Sequence, residues 1–297
     1  MSSVLPEKNN EIKSLKILIA GCGYVGTALG HQLVSMGHQV WGLRRNINAL
    51  PSCIQPIAAD MSSDFEVHIT SHRWNIVYYT ASAAGYTEAA YEAAYVTQVS
   101  RLLRVLENSD RPPDRFIYTS STGVYHQQDG SWLDENSPVE PTSFSSRALI
   151  LGEEQVFRAK VPGIVVRLAG IYGPGRTRLI DQVVTGDAVC VQDKTAWLNL
   201  IHREDCAGIL AHLLDLQNPE PCYLAVDCAP VEKNTLLRWI AAQLELPEPK
   251  IVSSSDLPAQ KRGGNRRYRN RRIVSSGYRF IYPTFREGYH EILKNYR

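Results

Sequence analysis

Lys16-Ile-Leu-Ile-Ala20, then Gly21-Cys-Gly23-Tyr-Val-Gly26, then the run Thr27–Met36 closed by Gly37: this stretch decides the fold. Four apolar residues in five read as a short buried strand. The later run has the amphipathic spacing of a helix, with Gly37 as its stop. Three glycines at GxGxxG spacing join the two. Alone they say little, but between a strand and a helix they form the fingerprint of a dinucleotide turn. The first glycine bends the chain, the second lets backbone approach a pyrophosphate, and the third lets helix and strand pack closely. The phosphates then rest on N–H groups at the positive end of the helix. Gly21, Gly23 and Gly26, with Tyr24 and Val25 between them, are therefore expected to hold a dinucleotide. Cys22 inside the turn reads as a small side chain tolerated there rather than as a nucleophile.

Outward from this turn, Gln39–Leu43 supplies a second strand and completes a βαβ unit. Further buried-strand runs are Gln55–Ala59, Asn75–Thr80, Arg115–Thr119, Gly163–Leu168 and Tyr223–Val226. Helical patterns occupy Thr87–Asn108, Phe144–Lys160, Arg203–Leu216 and Lys233–Leu244. Apolar strands alternating with helices predict an α/β protein with a doubly wound parallel sheet, a Rossmann domain. The alternation breaks between Gly173 and Leu200 and again past Leu244. Residues 14–172 are thus expected to form the NAD(P)-binding domain, and 173–297 mainly a smaller C-terminal substrate lobe. Residues 201–228 are expected to return to the sheet, and residues 1–13 have a composition typical of disorder.

Arg44 and Arg45 end the second strand, where a carboxylate would hold the ribose 2′-hydroxyl of NAD. Two guanidiniums favour a 2′-phosphate, so the expected cofactor is NADP rather than NAD. The 297 residues carry a net charge of only +2. Residues 258–297 hold eleven Lys/Arg against Glu287 and Glu291, a balance of +9, so the rest of the chain sums to −7. Within that segment Lys261–Arg272 reads KRGGNRRYRNRR. It reads as solvated surface, as one wall of a small-molecule phosphate site involving Arg266 and Arg267, or, least favoured, as a nucleic-acid surface. Gly263-Gly264 beside it suggests a closing loop. Six scattered cysteines without CxxC or Cys/His spacing argue for reduced thiols and against a metal. With no apolar leader or membrane-length run, the expectation is a cytoplasmic protein.

Four further segments carry a family likeness: Tyr118-Thr-Ser-Ser-Thr-Gly-Val-Tyr125, Asp134-Glu135 with Pro138 and Pro141, Arg167-Leu-Ala-Gly-Ile-Tyr172-Gly-Pro-Gly175, and Asn199-Leu-Ile-His202-Arg-Glu-Asp205. In this order, after the glycine turn, they resemble the extended short-chain dehydrogenase/reductases, which include nucleotide-sugar epimerases and dehydratases. The resemblance runs from about Lys16 to the C-terminus. It implies that Asp60 lies near the adenine and Ala81 beside the cofactor, and that Ser121 hydrogen-bonds the substrate's reacting oxygen.

One departure matters more than the match. The family carries a YxxxK pair on the helix after Ser121, a phenol that transfers protons and a lysine that lowers its pKa. Matching the Glu that follows the pair to Glu153 puts Ser145 and Leu149 there; matching Glu154 puts Ser146 and Ile150. Neither register restores the pair, and Tyr95 stands near the place of a supporting helical Asn. The chain therefore resembles the atypical branch of the family that lacks YxxxK. A serine hydroxyl is too weak an acid to replace an activated phenol. Tyr125 and His126 are the substitute proton-transfer candidates, His126 being otherwise an exposed loop histidine. Tyr172 and Asn199 join Arg266 and Arg267 as expected substrate-binding residues. Asp205 reads as an orienting residue at a helix start. The expected function is an epimerase/dehydratase/reductase-like protein acting on a polar, nucleotide-sugar-type, anionic small molecule, with homodimer formation left open. The alternative is a catalytically silent NADP-binding sensor.

Overall fold

The computed structural model describes residues 14–257 and 264–296. The first half of the sheet layer runs β1 (Lys16–Ala20), α1 (Tyr24–Ser35), β2 (Gln39–Arg44), β3 (Gln55–Ala58), α2 (Glu66–Thr70) and β4 (Ile76–Tyr79). The second half runs α3 (Glu88–Glu92), a π turn (Ala93–Thr97), α4 (Gln98–Glu107), β5 (Arg115–Ser121), the short β6 (Trp132–Leu133), α5 (Phe144–Arg158), β7 (Gly163–Leu168) and β8 (Gly170–Tyr172). After α6 (Arg178–Val184), β9 (Val189–Val191), β10 (Trp197–Leu198) and β11 (Leu200–His202), the chain returns to the sheet layer with α7 (Arg203–Asp215) and β12 (Cys222–Ala225). It closes with β13 (Val231–Glu232), α8 (Lys233–Gln243), β14 (Lys250–Val252), β15 (Arg267–Tyr268), α9 (Arg271–Ser275) and α10 (Phe285–Lys294).

Seven strands form one parallel sheet in the order β12-β7-β5-β4-β1-β2-β3. This is the doubly wound Rossmann arrangement, and its crevice opens where the winding reverses, between β1 and β4. Both faces are covered, which is why the strands are apolar at nearly every position. Along β1 the side chains alternate between two cores: Ile17 and Ile19 pack with α1 and α7, while Leu18 and Ala20 pack with α2 and α4. A third core, with Ile180 of α6, Leu237 of α8 and Tyr289 of α10, stabilises the smaller lobe.

Two features were not legible in the hydrophobic pattern. The run Thr87–Asn108 is not one regular helix, because the π turn inserts a wider loop of backbone between α3 and α4. The C-terminal basic segment spans both lobes. β15 pairs with β6 of the first lobe, and the Arg272 side chain of α9 donates to the Cys222 carbonyl on the edge strand β12 at 2.8 Å. Lys261, Arg262, Gly263 and residues 1–13 lie outside the described residues. No helix among the described residues is long and apolar enough to cross a membrane.

Candidate functional site

A cleft of about 640 Å³ opens at the C-terminal ends of β1, β4, β5 and β7, a size usual for a ligand site. Its floor is the turn between β1 and α1. Gly21 has φ +82, and a Cβ there would lie 2.4 Å from the Ala81 backbone. A Cβ on Gly26 would lie 2.6 Å from the Thr80 hydroxyl and 3.0 Å from Ile19. Both positions require glycine for packing. Gly23 differs: its nearest neighbour would be the Gly21 carbonyl at 3.7 Å, so the space before it is open. Gly23 is also the N-cap of α1, which has no side-chain cap and no acidic residue in its first turn. The first N–H groups of α1 therefore face the cleft ready for an anion. These are the steric and electrostatic requirements of a dinucleotide diphosphate. Cys22 is turned away, packed against Gly42, and burial pushes its thiol up to about 11. It is a packing residue.

At one end of the cleft stand Arg44, Arg45 and Asp60. Arg44 donates to the Cys22 carbonyl at 3.2 Å, which holds its guanidinium beside the glycine turn. Asp60 accepts from the Ser62 hydroxyl at 2.7 Å and the Ser62 N–H at 2.9 Å. These bonds hold its carboxyl below the usual range, with Arg45 adding in the same direction. The other end is lined by Ala81, Ser82, Ser121, Ala169 and the π turn, which presents Ala93, Ala94 and Tyr95. Ser121 caps a short 3-10 turn, its oxygen accepting from the Gly123 N–H at 3.1 Å. The hydroxyl hydrogen remains available to a ligand.

Behind Ser121 lies a buried polar chain. The Ser120 hydroxyl donates to Glu153 at 2.6 Å, Arg167 donates to both Glu153 oxygens at 2.7–3.2 Å, and Arg167 also donates to the Tyr125 oxygen at 2.8 Å. The Tyr125 hydroxyl in turn donates to the Asp134 carbonyl at 2.7 Å. Glu154, by contrast, pairs with Arg158 on the surface. Glu153 is thus the inward carboxylate of α5, and Leu149 and Ser145 stand one and two turns before it on the same face. Leu149 is buried, and Ser145 lies 2.9 Å from Ser143 and 3.5 Å from the Tyr86 hydroxyl.

Several sequence-expected site residues are not brought to the cleft. Tyr125 is 2% exposed, its hydroxyl is committed, and burial raises its pKa despite Arg167 beside it. It locks the β5 loop rather than moving protons. His126 points to Glu140, 3.4 Å away, off the cleft wall. Tyr172 is buried in the second lobe, stacked on Tyr289 at 4.6 Å. Asn199 spends its amide on backbone, donating to the Arg266 carbonyl and accepting from the Tyr268 N–H, each at 3.0 Å. Arg266 donates to the Tyr268 oxygen and the Gln127 carbonyl, and Arg267 to the Gly130 carbonyl. Arg267 also lies between the rings of Trp132 and Trp197, at 4.7 and 5.0 Å. These arginines fasten β15 to the first lobe and are not among the residues that line the cleft. Tyr95 lines the cleft, as its place near the supporting helical Asn position implies, and Arg176 is a cleft residue that the sequence did not single out. Arg176 directly follows the Gly173-Pro-Gly175 motif, which was the available signal.

The model of the NAD dependent epimerase/dehydratase family matches residues 17–224. The chain belongs to this family. A candidate NAD-dependent epimerase/dehydratase from Methylobacillus flagellatus is 33% identical, with a TM-score of 0.80 over 95% of this chain and 99% of that one. Human epimerase family protein SDR39U1, solved with NADPH, has 18% identity and a TM-score of 0.76 over 95% of this chain and 100% of that one. UDP-glucuronic acid 4-epimerase from Bacillus cereus, solved with UDP-glucuronic acid and NAD, has 18% identity and a TM-score of 0.76 over 92% and 96%. As a member of an NAD(P)-dependent epimerase/dehydratase family, the chain has the glycine turn where its fold requires it. Among the described residues, no group of His, Cys, Asp and Glu could hold a metal.

Proposed function

We propose that this family member binds NADP(H) across the switch point and acts on a polar, nucleotide-sugar-type small molecule. The observation that carries the reading is the open space before Gly23 at an uncapped helix N-terminus, with Arg44 and Arg45 at the adenine end. Bound NADP(H) would supply the hydride donor or acceptor. The chain's own residues would do the rest: α1 N–H groups take the diphosphate, Arg44 and Arg45 a 2′-phosphate, and Asp60 the adenosine end. The Ser121 hydroxyl would donate to the oxygen of the reacting carbon, held in place by its bond from Gly123. That NADPH accompanies the human relative and NAD the bacterial 4-epimerase leaves the arginine pair as the stronger argument for NADP.

The unusual part of this site is proton transfer. Among the described residues lining the cleft there is no Lys and no His, and the two phenols are Tyr24 and Tyr95. Burial raises the pKa of Tyr95, so it serves as a hydrogen-bond donor rather than a base. This observation favours, as the second reading, a cofactor-loaded sensor without turnover. Calorimetric titration with NADPH and NADH, followed by incubation with a panel of nucleotide sugars, separates them. Cofactor-dependent conversion lost in Ser121→Ala supports the enzyme and defeats the sensor. Tight NADPH binding with no conversion supports the sensor, and tighter NADH than NADPH binding refutes the NADP assignment.

A further inference from the structure

The cleft has one cation contributed from outside the sheet layer. Arg176 follows β8 in the turn Gly173-Pro174-Gly175-Arg176, and it lines the same cleft as Gly21, Gly23 and Tyr24. The turn is tightly set. Gly173 and Gly175 take φ +147 and +75, the Arg176 N–H donates to the Gly173 carbonyl at 2.9 Å, and the two residues form an isolated antiparallel bridge. A Cβ on Gly173 would lie 2.9 Å from the Tyr24 hydroxyl. That hydroxyl donates to the Pro174 carbonyl at 2.9 Å, so the first residue of α1 and the turn form one unit.

The Tyr24 ring is flanked by two guanidiniums, Arg176 at 4.3 Å and Arg203 at 5.1 Å. Arg203 is neutralised by Glu204, with N–O distances of 2.7 and 2.9 Å. Arg176 has no carboxylate partner among the described residues; its ordering comes from the aromatic face. Arg176 is exposed, so its guanidinium is accessible to an anion, and the aromatic contact restricts its side chain before one binds. The nearest anion site in the cleft is the N-terminus of α1, whose first residue is Tyr24 itself.

We propose that Arg176 is a diphosphate clamp: it reaches from the turn after β8 over the glycine turn and completes the anion site that the α1 amides begin. The dinucleotide is then gripped from two sides, by backbone of the first βαβ unit and by a side chain leading into the second lobe. Tyr24 serves as the platform. The inference rests on the dinucleotide reading of the cleft and adds to it a second-lobe residue with a defined target, the phosphate bridge shared by NADPH and NADH. A uridine diphosphate group would present the same chemistry from the substrate side, and the cofactor's bridge is favoured because Arg176 lies on the ring of Tyr24, the first residue of α1.

The test is isothermal titration of the full chain and of Arg176→Gln, Arg176→Lys and Tyr24→Leu, with NADPH, NADH, ADP-ribose, adenosine 2′-monophosphate and UDP as probes. Arg176→Gln should weaken NADPH, NADH and ADP-ribose alike, by roughly tenfold to a hundredfold, the range of one charged hydrogen-bonded contact. Adenosine 2′-monophosphate, which carries no phosphate of the bridge, should bind unchanged. Arg176→Lys should recover only part of the loss, because an ammonium keeps the charge but not the stacked plane. Tyr24→Leu should reproduce the loss, and the double variant should be no worse than the single ones. Unchanged NADPH and NADH affinities in Arg176→Gln overturn the clamp. So does a loss confined to UDP, or one that extends equally to adenosine 2′-monophosphate. Failure of the unsubstituted chain to bind any dinucleotide overturns instead the reading on which the clamp rests.

Discussion

Arg167→Met removes the cation from the buried chain behind Ser121. Arg167 and Glu153 are only 6% and 3% exposed at their side chains, and three hydrogen bonds join them. After the substitution Glu153 keeps the Ser120 hydroxyl alone, and the Tyr125 oxygen loses its donor. Leaving a buried carboxylate without its partner costs about 3–5 kcal/mol. In a chain of this size, where about 1 kcal/mol shifts Tm by about 2–3 °C, the expected fall is about 6–15 °C. The pair Glu153→Met and Arg167→Met together removes both charges and fills similar volume, so most of that loss should return. Thermal unfolding of the three variants, followed by circular dichroism, measures both numbers. A single variant within 1 °C of the parent would show that the pair is not dry enough to matter. A double variant as unstable as the single would show that packing, not the orphaned charge, carries the cost. Because Ser120 precedes Ser121, the single variant should also loosen the substrate end of the cleft.

Arg44→Ala and Arg45→Ala should each weaken NADPH by about tenfold or more and leave NADH within about twofold, since the 2′-phosphate is the only group that differs; equal losses on both cofactors would contradict the assignment. Gly23→Ala should fold with little loss of stability because its Cβ meets nothing closer than 3.7 Å, yet lose dinucleotide affinity. Gly21→Ala, at 2.4 Å from the Ala81 backbone, should lose stability as well, and calorimetry with a melting curve tells the two apart. Asp227 is 2% exposed with one oxygen unpartnered, and burial pushes its carboxyl up to about 8. Between about pH 4, where it titrates unfolded, and about 8 the folded form holds the extra proton, so its contribution to stability falls as pH rises. His202, held down to about 4 by burial, acts in the opposite sense below its unfolded value near 6.5, which leaves 6.5–8 as the clean window. Urea unfolding across that window should show the parent losing stability and Asp227→Asn losing much less. A parallel slope in both would remove Asp227 as the cause.

The sheet was legible because a strand covered on both faces must be apolar throughout. Gly163–Leu168 and Lys16–Ala20 stand in the sequence as they do in the sheet. The glycine turn was legible for a steric reason equally local, since Gly21 and Gly26 each lack room for a Cβ. What the sequence withheld depends on partners far along the chain. Arg267 looks like a free cation in a basic run, but its acceptor is the Gly130 carbonyl, 137 positions away. Tyr125 looks like an exposed loop phenol until Arg167, on another strand, is placed against it. The π turn that delivers Tyr95 leaves no mark in an alanine-rich helical pattern, because it changes the backbone and not the polarity. Arg176 directly follows Gly173-Pro174-Gly175, yet its aromatic platform, Tyr24, is 152 positions upstream.

Asp205, in the first turn of α7, is fully buried, and it accepts from the Tyr278 hydroxyl at 2.8 Å, the Ile281 N–H at 2.7 Å and the Tyr282 N–H at 2.9 Å. These donors arrive 73 to 77 residues later in the chain. A ribosome needs roughly 4–15 s to make that length at 5–20 residues per second. During that interval α7 carries a carboxylate that cannot leave water without a large desolvation cost, so its layer against α1 stays wet. Every strand of the sheet has been synthesised by residue 225, but one of its faces cannot dry until the final segment emerges. A chain stopped ahead of Tyr278 would hold all seven strands and lack the hydroxyl and the two amides that satisfy Asp205.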